Sequence, residues 1–127
     1  MYMKIEISNG ELIDKLSILE IKSKNIKDES KLNNINKEFF ELKDIASELL
    51  KIDGVYELYQ ELIEVNNTLW DIEDSIRWKE REKKFDEEFV YYARNVYITN
   101  DLRFKLKSKI NELTDSYFVE EKSYERY

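Results

Sequence analysis

The chain contains no cysteine, no histidine and no proline, and only two glycines among 127 residues. Without cysteine there is no disulfide and no thiolate zinc site. Without histidine, the usual general base near neutral pH and the commonest transition-metal ligand are both missing. Any chemistry therefore falls to carboxylates, lysine, arginine, tyrosine or a hard metal. The absent proline and scarce glycine remove the residues that interrupt helices most strongly. No apolar run reaches the length of a membrane span, so no membrane partner is expected. Met1 to Asn9 lacks the basic region and long apolar stretch of a signal peptide, and the expectation is a soluble cytoplasmic protein.

What is present is 42% hydrophobic and 39% charged, with a net charge of −7. That is enough apolar material for a core in one domain of this length. Leu32, Ile35, Phe39, Leu42, Ala46 and Leu49 recur in steps of three and four. Asp53-Gly54 interrupts the run, and Leu58, Leu62, Val65, Leu69, Ile72 and Ile76 resume it. The steps are the seam of a helix packed on helices. The break between them reads as a helical hairpin. The predicted fold is all-α: an antiparallel bundle of about four helices, built from two helical hairpins with one long and projecting. It forms a single domain, with an extended arm over residues 1–8, the bundle over 9–114 and a tail over 115–127.

Local signals place the elements. Met3, Ile5 and Ile7 alternate with Tyr2, Lys4 and Glu6, which predicts a short strand or extended arm. Ser8-Asn9-Gly10-Glu11 reads as a capping box. It opens a first helix reaching about Lys27, with Leu12, Leu16, Leu19, Ser23 and Ile26 as the buried stripe, widened by Ile13 and Ile21. Ser30 or Asp28 caps a second helix that ends near Ile52. A third runs from near Val55 to about Lys84. Asp86 caps a fourth that ends near Thr114. The stripe of this last helix, Phe85, Phe89, Ala93 and Val96, restarts out of phase at Leu102, Leu106, Ile110 and Leu113. The slip falls on Thr99-Asn100-Asp101 and predicts a kink or break there. Tyr117-Phe118-Val119 is expected to be extended and able to pair with the N-terminal arm.

Charge is unevenly spread. Asp53, Glu57, Glu61, Glu64, Asp71, Glu73 and Asp74 form an acidic block, and Arg103, Lys105, Lys107 and Lys109 a basic one. Antiparallel pairing of the third and fourth helices sets Glu61 and Glu64 level with Lys105 to Lys109, and Asp74 near Arg94. Each such exposed pair is worth about 0–1 kcal/mol, and together they would fix register. Nucleic acid is not expected as a partner, because the overall sign is wrong and no basic stretch is free of acids. At roughly 45 Å the third helix outruns the second, which is roughly 30 Å. The uncovered stretch from Trp78 to Ala93 carries Trp78, Phe85, Phe89, Tyr91 and Tyr92. Such a surface predicts an interface, and the simplest occupant is a second copy in a two-fold homodimer. The competing reading folds the arm or the tail over it.

Two polar constellations are candidates for chemistry. Glu11 and Asp14, beside Lys15 in the first turn of the first helix, join Glu61 and Glu64 as a candidate magnesium site. All-α nucleotide pyrophosphohydrolases hold magnesium with helix carboxylates of this kind, although acids in a first turn also complement the helix dipole. Arg94, Tyr97, Asn100, Asp101 and Arg103, with Lys107 beyond, form the second. A helix capped by Asn100 would offer amides to a phosphate, and Arg103 would join them. The plainer reading is a capped kink whose charges pair with the third helix.

Several non-periodic segments resemble a known family. Ile7-Ser-Asn-Gly-Glu-Leu-Ile-Asp-Lys-Leu-Ser-Ile-Leu-Glu-Ile-Lys22 is similar to the opening of a small all-α family catalogued only as a domain of unknown function. Leu69-Trp-Asp-Ile-Glu-Asp74, Ala93-Arg-Asn-Val-Tyr-Ile-Thr-Asn-Asp-Leu-Arg103, Ile110-Asn-Glu-Leu113 and Val119-Glu-Glu-Lys-Ser-Tyr124 resemble its later blocks. The resemblance implies a short helical bundle and brings no catalytic assignment. It draws attention to Glu11, Asp14, Lys15, Arg94, Asn100, Asp101 and Arg103, which lie inside the matching blocks. The functional expectation is a non-enzymatic module, without a cofactor, for self-association and binding of a protein partner. The alternatives are a magnesium-dependent enzyme like the pyrophosphohydrolases, and an accessory protein that binds phosphate or a nucleotide-sugar.

Overall fold

The computed structural model describes residues 1–127 and consists of four helices with no strand. These are α1 (Asn9–Asn25), α2 (Glu29–Leu50), α3 (Val55–Arg81) and α4 (Glu87–Leu113). Three of the four begin at a side-chain cap that satisfies an otherwise orphaned amide. Ser8 accepts from the Glu11 N–H, Asp28 from Lys31 and Asp86 from Phe89. The predicted capping box is half made, because the Glu11 carboxylate turns to Lys107 of α4 instead of the Ser8 amide. Gly54, at φ +88°, makes the left-handed turn between α2 and α3 that a side chain would resist. No helix is long and apolar enough to cross a membrane.

The core gathers Ile13 and Leu16 of α1, Ala46 of α2, Val55, Leu58, Tyr59 and Leu62 of α3, and Ile110 of α4. The most extensive helix contact is between α3 and α4, while α2 lies on α1 and touches α3 only slightly. The Asp53-Gly54 turn therefore joins two helices that do not pack along their length. Their seams meet Ile13 and Leu16 of α1, which share one core with both Ala46 and Leu62. Along α1, Gly10 and Glu11 meet α4, Asp14 meets both α4 and α3, and Ser17 and Glu20 meet Asn66 and Tyr59 of α3. The helix thus crosses from one member of the α3–α4 pair to the other.

Contrary to the predicted break, α4 runs unbroken through Thr99-Asn100-Asp101. The phase slip comes from reading only apolar residues as the seam. Thr99, Lys107 and Ile110 are buried and Arg103 is half-buried, so the inward row is Val96, Thr99, Arg103, Lys107, Ile110, while Leu102 faces out. This row steps by three and four without interruption. Residues 1–7 are exposed and form no strand, and the tail does not pair with them. The tail returns along α4 instead. Lys122 lies 5.2 Å over the Phe104 ring, and the Tyr127 hydroxyl donates to Asp101 at 2.8 Å with its ring edge-on to Tyr97.

Candidate functional site

Polar residues converge where α1 crosses α4. A Cβ at Gly10 would overlap the carbonyl oxygen of Lys107, so only glycine allows this approach. The Gly10 N–H donates to Asn111 Oδ1 at 2.6 Å. Beside it, Lys107 Nζ lies 2.7 Å from Glu11 Oε2. Glu120 Oε1 of the tail sits 3.1 Å from the same ammonium, an ion contact without hydrogen-bond alignment. Burial penalises the Lys107 charge, but Glu11 and Glu120 outweigh it and raise its pKa.

One turn further along α1, Asp14 is completely buried. It accepts from Arg103 Nε at 3.0 Å and Nη2 at 2.6 Å, a two-pronged pairing that fixes the guanidinium plane. Both N–H groups of Asn66 are used as well, one donated to Asp14 Oδ1 and one to Ser17 Oγ, each at 2.9 Å. The Ser17 hydroxyl donates to the Asp14 carbonyl at 2.6 Å. The bond to Asp14 lifts the Arg103 pKa further above its ordinary value, against the opposing effect of burial. On the outer side of this network lies a cleft of about 380 Å³. Ile18 and Ile21 of α1, Asn66, Trp70 and Asp74 of α3, and Arg103 of α4 form much of its wall.

The residues singled out from the sequence are redistributed. Glu11 and Asp14 are held by Lys107 and Arg103, while Glu61 and Glu64 are exposed on α3. No three carboxylates gather closely enough to hold a metal ion. The acidic block of α3 does not pair with Lys105 to Lys109; Arg103 and Lys107 reach across to α1 instead. The second constellation is divided. Arg103 faces α1, whereas Tyr97, Asn100 and Asp101 line a broad groove of about 1440 Å³ shared with the tail. Arg94 is exposed. Because α4 is continuous, Asn100 starts no helix and leaves no free amides for an anion there.

The aromatic residues at the far end of α3 and α4 do stand open. Trp78 is 43% exposed, Phe85 58% and Tyr91 63%, while Phe89 and Tyr92 are half-buried. Phe85 meets Phe89 edge to face at 5.2 Å, and Lys84 Nζ sits 4.8 Å over the Trp78 ring. Beneath them, Lys79 is buried and reaches Asp86 at 2.9 Å and Glu88 at 3.2 Å. The hydrogen bond between Lys79 and Asp86 raises the lysine pKa and lowers that of the aspartate. Neither the arm nor the tail covers this end, since the tail docks on the Tyr97–Lys107 half of α4.

These features together span almost the whole sequence, and so does a family match. The chain belongs to a family of unknown function, DUF6165. The family model matches residues 3–127, which takes in the α1–α4 seam, the cleft and the aromatic end. No curated protein and no solved structure matches the chain. Sequence reasoning named Asp14, Arg103, Glu11 and Lys107 but put them in separate constellations, and it missed Gly10, Ser17, Asn66 and Asn111. A signal was available: Gly10, Asp14, Ser17 and Ile21 follow the same three-and-four steps as Thr99, Arg103, Lys107 and Ile110.

Proposed function

We propose that this protein is a non-enzymatic helical module that pairs with a second copy of itself and binds a protein partner. The observation that carries the reading is the exposed aromatic end of the α3–α4 pair, with Trp78, Phe85 and Tyr91 standing open together with Val90. Exposed aromatics grouped at one end of a bundle are the composition of an interface centre. The charges around them favour a second copy as the occupant. Arg81 ends α3, Lys83 and Lys84 stand in the turn after it among Glu80 and Glu82, and Glu87 opens α4. A two-fold axis through the tip would let cations of one protomer meet anions of the other, since both signs are present there. The ion pairs Asp14–Arg103 and Glu11–Lys107 support a structural role for the α1–α4 seam, because the partners neutralise one another.

Sedimentation equilibrium across a concentration series tests this. The natural protein should distribute between monomer and dimer, and Phe85→Asp and Tyr91→Asp should each shift it to monomer. Both side chains are largely exposed, so circular dichroism should be unchanged. A strict monomer at every concentration would overturn the reading.

A further inference from the structure

We infer that the cleft between α1, α3 and Arg103 is a binding site for an apolar amino acid in its zwitterionic form. The inference is independent of the aromatic end and does not need the dimer. The cleft volume of about 380 Å³ falls at the small end of the range for ligand pockets. Its lining carries both signs, with Glu73 and Asp74 beside Arg77 and Arg103, and Asp14 lies behind Arg103. A ligand of one sign would meet a like charge there, whereas a zwitterion meets a partner for each of its ends.

The individual groups are available in the required sense. Arg103 gives Nε and Nη2 to Asp14, and its Nη1 has no partner within the protein. The buried Asp14 clamp holds this remaining donor edge in place, ready for a carboxylate. For the ammonium, Asp74 makes no ion pair or hydrogen bond within the protein. Asn66 has both N–H groups committed inward, to Asp14 and Ser17, and so does not compete for Asp74. Glu73 and Arg77 satisfy each other at 3.0 Å and act as a neutral rim. Ile18, Ile21 and Trp70 supply the apolar surface for the ligand's side chain.

Isothermal titration with L-phenylalanine and L-leucine tests the assignment, with phenethylamine lacking the carboxylate and 3-phenylpropionate lacking the ammonium. Saturable binding of the amino acids is expected, weakened about tenfold or more by removal of either ligand charge. Asp74→Asn should weaken phenylalanine to the level of 3-phenylpropionate, and Trp70 fluorescence in a Trp78→Phe background should respond to phenylalanine. Asp74 is exposed, so that variant keeps its fold, which circular dichroism checks. No saturable binding of either amino acid overturns the inference. So does equal affinity for a ligand that lacks one charge, or an affinity unchanged by Asp74→Asn.

Discussion

Removing the Asp14 carboxylate would leave the half-buried Arg103 guanidinium without its counter-charge and an Asn66 N–H without an acceptor. Losing one partner of a buried charge pair costs about 3 kcal/mol or more. Asp14→Ala should therefore show a loss of that order in urea unfolding. Replacing both partners, with Asp14→Leu and Arg103→Met, should cost less than the two single changes added together. A coupling above about 1 kcal/mol is the expected result of that cycle. Gly10 gives a second residue-scale expectation in which two effects oppose. Alanine in a helix is ordinarily better than glycine by about 1 kcal/mol. Here the added methyl meets the backbone carbonyl of Lys107, which cannot rotate away as a side chain could. Overpacking of this kind costs about 1–3 kcal/mol, so Gly10→Ala should destabilise the protein in the same assay.

At the scale of elements, the termini of the α3–α4 pair carry a pH dependence. The Asp86 pKa is lowered by Lys79, so its contribution is present above the ordinary aspartate value of about 3.9. It is lost as pH falls through the lowered value. Lys79 and Lys107 are raised, the first by Asp86 and the second by Glu11 and Glu120 against burial. Their contributions are present below about 10.4 and lost as pH rises through the raised values. Tyr59, raised by burial and by its bond to Glu20, behaves in the same sense above about 10. The thermal midpoint should thus be flat near neutrality and fall at both extremes. Asp86→Asn should flatten the acid limb, and Lys107→Met should remove part of the alkaline one.

The helices were legible at this scale because their caps and apolar steps are local. Ser8 and Asp86 cap as read, Asp28 and not Ser30 caps α2, and Gly54 turns the chain. What could not be read was which helix lies between which. The α2–α3 seam looked like a long hairpin because its periodicity is strong, yet periodicity marks a buried face without naming the neighbour. The continuity of α4 was hidden for a related reason. Thr99, Arg103 and Lys107 occupy inward positions, and polar residues there are assigned outward by any apolar criterion. For the candidate site, Asp14 and Arg103 were noticed singly. Their pairing depends on a contact between residues 89 positions apart.

For the whole molecule, dimer formation and folding should be linked. If the aromatic end is covered by a second copy, the thermal midpoint should rise with protein concentration, and it should stop doing so in Phe85→Asp. Differential scanning calorimetry at several concentrations checks this, and a midpoint independent of concentration in the natural protein would count against the pairing. The glycine contact and the Asp14–Arg103 clamp also have a consequence for descent. A lineage that loses the aspartate inherits an arginine with no counter-charge, and one that loses the glycine must part its first helix from its last. Changes at these positions should be tolerated only in company. In an alignment, positions 14, 66 and 103 should vary as a set, while the apolar positions around them drift freely among similar volumes.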